Sequence, residues 1–139
     1  MSREASCIFC KIIEGKIPCH LLYEDKQTLS FLDIGPLSRG HCLVIPKNHY
    51  VTLETMPIEL ATACMETVAR VGTAVLGATG AEAWNVLQNN GQQAGQVVGH
   101  VHFHIIPRTD SDGLGFRWPA GTLADPDAKE LAKTILAAL

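Results

Sequence analysis

Apolar residues fall along this chain in a succession of short, distinct periodicities. Residues 7–14, Cys-Ile-Phe-Cys-Lys-Ile-Ile-Glu, set Ile8 and Ile12, and Phe9 and Ile13, one helical turn apart. Gly15 stops the pattern, which predicts a short helix. The runs Leu21–Tyr23 and Thr28–Leu32 flank the polar stretch Glu24-Asp25-Lys26-Gln27 and predict a β-hairpin. Cys42–Ile45, an apolar run between Gly40 and Pro46, predicts a buried strand. Pro57 then opens a long amphipathic helix, in which Leu60, Cys64, Val68, Val71 and Val75 recur at steps of three and four until Gly80. Trp84–Leu87 predicts another strand, Asn89–Gly99 a loop with three glycines, and residues 100–106 a last strand. Asp125 is expected to cap a final helix that has Pro126 at its first position and runs to about Ala138. Strands that neighbour in sequence, with helices set apart, specify an α+β fold with an antiparallel sheet.

A length of 139 residues fits one domain, residues 1–139. A chain of this size buries about two thirds of the surface it exposes when unfolded, so it builds a core without disulfides. Hydrophobic residues at 47% against 18% charged exclude a disordered chain. No apolar run is long enough to span a bilayer, and residues 1–6 carry no secretory signal. Five cysteines, an odd number, then point to a reducing compartment, the cytoplasm, and not to a disulfide framework. A net charge of −3 argues against binding a nucleic-acid polymer, although a local pocket can still capture a small phosphorylated ligand. Cys7 and Cys10 form a C-x-x-C, which reads either as a redox dithiol or as half a metal site. No thioredoxin-like context surrounds it. Cys19, Cys42 and Cys64 read as small buried hydrophobes, His20 as solvated and Trp84 as core.

His100-Val101-His102-Phe103-His104-Ile105-Ile106 carries the most chemistry. In a strand, its period of two puts three imidazoles on one face and Val101, Phe103 and Ile105 on the other, toward the core. Same-face neighbours on a strand stand about 6.6 Å apart and the outer pair about 13 Å. Donors to one zinc ion lie only about 3–3.5 Å from each other. The three histidines therefore cannot share one ion and must have separable roles. A neutral imidazole is nucleophilic at physiological pH, and attack on phosphorus gives a phosphoramidate that water can hydrolyse. The preceding loop supplies side-chain amides, and its glycines let backbone N–H groups approach an anion. It is neither a P-loop nor a G-x-G-x-x-G turn.

This motif resembles the His-φ-His-φ-His-φ-φ signature of the histidine triad (HIT) family of nucleotide hydrolases and transferases. Further segments resemble the family in family order: Cys-Ile-Phe-Cys-Lys-Ile-Ile, Phe31-Leu32-Asp33-Ile34, Gly40 through His49, and Asn89 through Arg108. The likeness covers residues 7–108 and leaves 109–139 as a divergent tail and helix, apart from Trp118-Pro119, which is similar to the end of the phosphoramidase branch. It implies a five-stranded antiparallel sheet with one long helix, a short N-terminal helix and a C-terminal helix. It also implies a homodimer that joins two sheets into ten strands, with the long helix at the interface.

The implied chemistry is hydrolysis at the α-phosphate of purine nucleotide conjugates, such as nucleoside phosphoramidates and adenylyl-lysine. His102 resembles the nucleophile that forms a nucleotidyl-histidine, His104 the second histidine at the phosphate, and His41 the residue behind it. Asp33 resembles the acceptor of the ribose hydroxyls, Ile34 part of the wall against the base, and Asn89 and Gln96 the contacts to phosphate or leaving group. His49 and His100 are then left for a metal. Some bacterial-type members pair Cys-x-x-Cys with these two histidines, which implies a structural zinc at Cys7, Cys10, His49 and His100. Two departures leave the leaving group open. Val97 stands where the phosphoramidase branch often has a hydroxyl, and Pro107-Arg108 is more like the diadenosine polyphosphate hydrolases. Other readings are a nucleotide-binding regulator with little turnover, and a zinc module whose function is interaction.

Overall fold

The computed structural model describes residues 1–115 and 118–139. In chain order the elements are α1 (Ile8–Ile13), β1 (Leu21–Glu24), β2 (Thr28–Leu32), β3 (Cys42–Pro46), α2 (Ile58–Thr79), β4 (Ala83–Gln88), β5 (Phe103–Arg108) and α3 (Asp125–Ala138). The strands form one sheet in the order β1-β2-β3-β5-β4, with every pair antiparallel. The α+β class, the hairpin and the helix order all follow the sequence pattern.

Strand β3 explains why its sequence has no polar face. Successive side chains point to opposite sides, and both sides are covered. Cys42 and Val44 meet Leu60, Cys64, Val68, Val71 and Val75 of α2, together with Val101, Phe103 and Ile105. Leu43 and Ile45 meet Leu29, Phe31 and the α1 segment with Cys7, Phe9 and Cys10. Each fully buried aliphatic side chain contributes about 1.5–3 kcal/mol. One polar contact crosses the α2 side, where the hydroxyls of Thr28 and Thr67, both buried, bond to each other at 2.8 Å.

The last strand departs from the expected 100–106: the ladder begins at Phe103 and continues to Arg108. Residues 100–102 pair with loops instead, His100 N–H donating to Val98 O (2.9 Å) and Val101 N–H to Tyr50 O (2.8 Å). Alternation along 100–106 survives this, because Val101, Phe103 and Ile105 are all buried against α2. Pro107 is tolerated in β5 because β3 pairs only with residues 103–105, so the strand has an edge beyond that point. At α3, Ala124 holds the capping position and Asp125 is the first helical residue, so the expected cap by Asp125 does not form. Its carboxylate instead lies in the first turn, where the helix dipole favours an acid, and pairs with Lys129 at 2.8 Å. No residue of α3 is buried. Trp84 is half-buried, with its ring over Gly72 of α2.

Gly40 lets the 33–41 loop close over the end of α2. Its φ is +91°, and a Cβ there would lie 2.6 Å from Thr79 Cγ2 and 3.1 Å from Val75 Cγ1. Gly40→Ala should therefore lower stability by about 3 kcal/mol, combining left-handed strain with overpacking. A lower urea midpoint at unchanged slope would report it; an unchanged midpoint would show that the loop yields freely.

Candidate active site

Four histidines and an aspartate line up beside the start of β5. His102 is nearly buried, and its Nδ1 lies 2.7 Å from the carbonyl oxygen of His100. A carbonyl only accepts, so Nδ1 carries the proton and Nε2 keeps a free lone pair. Burial holds the His102 pKa below the usual histidine value, with the His100 carbonyl and Asp33 opposing. Burial thus favours the neutral form of the ring.

Backbone geometry fixes the neighbouring pair in the same way. Leu37 N–H donates to His41 Nδ1 at 3.0 Å, which puts the His41 proton on Nε2. That proton faces His104 Nδ1 at 2.9 Å, so His104 in turn carries its proton on Nε2. Asp33 Oδ2 lies 3.6 Å from His41 Nε2, and Asp33 Oδ1 accepts Gly35 N–H at 2.8 Å. Burial pulls His104 down to about 4 and lowers His41, against the pull of Asp33. The His102 and His104 rings are 5.0 Å apart, centre to centre. Although Asp33, His41 and His104 lie within mutual reach of one ion, the proton on His41 Nε2 occupies the position a metal would need. His41 and His104 form a hydrogen-bonded pair beside Asp33.

The glycine-rich loop is pinned from within. Gln96 Oε1 accepts Gly91 N–H at 2.8 Å, and its Nε2 donates to Val51 O (2.6 Å) and Val98 O (3.1 Å). The amide that the resemblance implies at the phosphate thus holds the loop shape in this structure. Asn89 lies across the base of the loop, its Nδ2 near Gly95. Val97 is 93% exposed and Ile34 92% exposed. A cavity of about 600 Å³ opens beside the loop, lined by Val51, Thr52, Gly91, Gln92, Gln96 and Val97 among others.

Cys7, Cys10, His49 and His100 form a second cluster. His100 Nδ1 is 3.5 Å from Cys7 Sγ, 3.7 Å from Cys10 Sγ and 3.2 Å from His49 Nδ1, and Cys10 Sγ is 3.4 Å from His49 Nδ1. A tetrahedral zinc with these donor types has edges of about 3.3–3.8 Å. The fit extends one layer outward: His100 Nε2–H donates to Pro46 O at 2.9 Å, freeing Nδ1 for a metal, and Glu4 N–H donates to Cys10 Sγ at 3.3 Å. Ser2 O accepts His49 N–H at 3.1 Å, so the N-terminal residues close over the cluster. Burial raises the Cys10 thiol pKa, an effect that a cation would oppose.

Two contacts are absent from the sequence reading. Phe9, between the two cysteines, sets its ring edge-on to both His100 (5.9 Å) and His102 (5.2 Å). The helical spacing of Phe9 and Ile13 shows an apolar face of α1 and not which rings Phe9 meets. Arg108 donates to Asp112 Oδ2 (2.7 Å), Asn85 Oδ1 (2.7 Å) and Leu114 O (2.8 Å), so it folds the turn after β5.

The three histidines lead into β5, which lies between β3 and the edge strand β4 of a five-stranded antiparallel sheet, and this chain belongs to the HIT domain family, whose model matches residues 14–111. Among its relatives is an adenosine 5'-monophosphoramidase of Schizosaccharomyces pombe, 46% identical over 94% of this chain and 96% of the relative. The crystal structure of a HIT family member from Bacillus subtilis superposes with a TM-score of 0.91 at 39% identity, over 96% of this chain and 97% of that one. A zinc-bound histidine triad family protein from Mycobacterium smegmatis matches with a TM-score of 0.76 at 39% identity, over 96% of this chain and 92% of that one.

Proposed function

We propose that this chain is a hydrolase cleaving purine nucleotide conjugates at the α-phosphate, with nucleoside phosphoramidates as the substrate class. The observation that carries the reading is the His102 hydrogen bond, which leaves Nε2 unprotonated in a site of neutral imidazoles. The S. pombe relative, named for the same chemistry, supports it. His102 Nε2 attacks the α-phosphorus, forming a P–N bond as the bond to the leaving group breaks. The leaving group keeps the electron pair and takes a proton from water. A second water then cleaves the nucleotidyl-histidine, releasing the nucleoside monophosphate and restoring Nε2. His104, backed by His41, holds the phosphate, and Asn89 and Gln96 shape the loop around it.

Zinc at Cys7, Cys10, His49 and His100 is the proposed structural metal, supported by the donor geometry and by the zinc-bound M. smegmatis relative. When bound it ties α1 to the sheet. The proposed unit is one domain, residues 1–139, working as a homodimer. In support, β4 is a sheet edge with Val86 exposed, and α2 exposes Ile58 and Met65, so a second copy beside β4 would extend the sheet to ten strands. Among the described residues no helix is long and apolar enough to cross a membrane, and all five cysteines are unpaired, which fits the cytoplasm.

The test is a side-by-side assay of adenosine phosphoramidate, adenylyl-lysine and diadenosine polyphosphates, with rapid-quench detection of labelled nucleotidyl-protein. Turnover through a covalent intermediate supports the proposal, and tight AMP binding with no such intermediate makes the chain a binding regulator. Asp33 gives a second check. With Oδ1 held by Gly35, Oδ2 is available to the ribose hydroxyls. Asp33→Ala should weaken AMP by about tenfold more than its 2'-deoxy analogue, since an unpaired acceptor discriminates strongly. Equal losses would remove Asp33 from the ribose site.

A further inference from the structure

Residue 100 belongs to two clusters at once. Its ring offers Nδ1 to the cysteine–histidine cluster, while its backbone carbonyl accepts the Nδ1–H of His102 at 2.7 Å. Phe9 repeats the connection through side chains, because it stands between Cys7 and Cys10 and meets the edges of both the His100 and His102 rings. The β5 ladder does not fix this segment. Residues 100–102 precede the β5 ladder, and their backbone bonds run to Val98 and to Tyr50, the neighbour of His49. The peptide that carries the residue 100 carbonyl is held by Val101 N–H on Tyr50 O, next to His49, and the ring of the same residue by Pro46 O and the cluster, so both anchors adjoin cluster residues.

We propose that His100 and Phe9 are positioning residues through which zinc occupancy sets the orientation of the His102 ring, so that metal loading controls the nucleotidyl-transfer step. The inference rests on the reading of His102 as nucleophile and of the four-residue cluster as a zinc site. With zinc bound, the His100 carbonyl and the Phe9 ring stand where they keep the His102 proton on Nδ1 and aim Nε2 outward. Without it, the tie between α1 and the ring of His100 is lost, Pro46 O and Tyr50 O alone hold residues 100–101, and the His102 proton distributes between the two ring nitrogens. The coupling is reciprocal by linkage: if zinc favours the His102–His100 hydrogen bond, that bond favours zinc retention.

Nitrogen-15 NMR of the histidine rings, in zinc-loaded and chelator-treated full-length protein, tests this without reference to turnover. The loaded form should show His102 protonated at Nδ1 alone, and the metal-free form a mixture of tautomers. Nucleotidylation should slow at least tenfold on zinc removal, with AMP affinity within about twofold. Identical His102 signals in the two folded forms would overturn the proposal. If the metal-free chain unfolds, zinc release to a competing chelator decides. His102→Ala should release zinc about fivefold faster than both wild type and His104→Ala, and equal release from all three would overturn the coupling. Absence of a nucleotidyl-protein in loaded wild type would refute the nucleophile assignment alone, leaving the zinc-release comparison readable.

Discussion

His102→Asn should lose nearly all turnover, about 10⁴-fold or more in kcat/KM, while keeping the fold. The magnitude follows from the loss of a covalent nucleophile in a unit whose members act together. The fold should survive because the ring packs at the sheet surface against Phe9 and His104, and takes no part in the β5 ladder. Asparagine also keeps an amide that can donate to the His100 carbonyl. His104→Asn should be hurt less, by about a hundredfold, because it removes a group that holds the phosphate and leaves Nε2 of residue 102 in place. Labelled nucleotidyl-protein on rapid quench, with circular dichroism as the fold control, reads the outcome. Wild-type turnover in His102→Asn would end the covalent mechanism.

Replacing both cysteines should be the most destabilising change in the chain. Wild type purified without chelator should carry one equivalent of zinc per chain, and Cys7→Ser/Cys10→Ser should carry none. The melting temperature should fall by about 10 °C or more, since metal binding free energy is folding free energy and a few kcal/mol moves a domain of this size that far. The loss has a clear structural route. Cys7 and Cys10 join Phe9 in the cluster that covers Leu29, Phe31, Leu43 and Ile45, so releasing α1 uncovers one whole face of the sheet. Zinc retained in the double variant, or missing from wild type, would leave the cysteines as a buried dithiol.

Much of this molecule is legible in the sequence because packing imposes simple periods. The α2 stripe and the two-sided burial of β3 are such cases, and each matches its element to within a residue or two. The start of β5 was not legible. Alternation of His with apolar residues looks the same whether the backbone bonds to a neighbouring strand or, as at residues 100–102, to loop carbonyls. The separation of the three histidines could be argued from strand spacing, yet their partners could not. Leu37 N–H on His41, Pro46 O on His100 and Phe9 against two rings are all tertiary contacts. Gln96 shows the same limit: an amide in a glycine-rich loop suggests a ligand contact, but Val51 O, 45 residues earlier, is its partner. For α3 the helical period was plain, whereas what it packs against is not encoded locally.

The two ends of the chain differ in how they are attached, and this governs how the protein should be handled. Ser2 bonds to His49 and Glu4 to Cys10, so an extension placed before residue 1 pulls directly on two residues of the cysteine–histidine cluster. An affinity tag there, particularly one of histidines, would strain that cluster and compete for the proposed zinc. Leu139, 97% exposed at the end of a helix with no buried residue, transmits nothing inward. Purification tags, fluorophores and surface-immobilisation handles therefore belong on the carboxyl side.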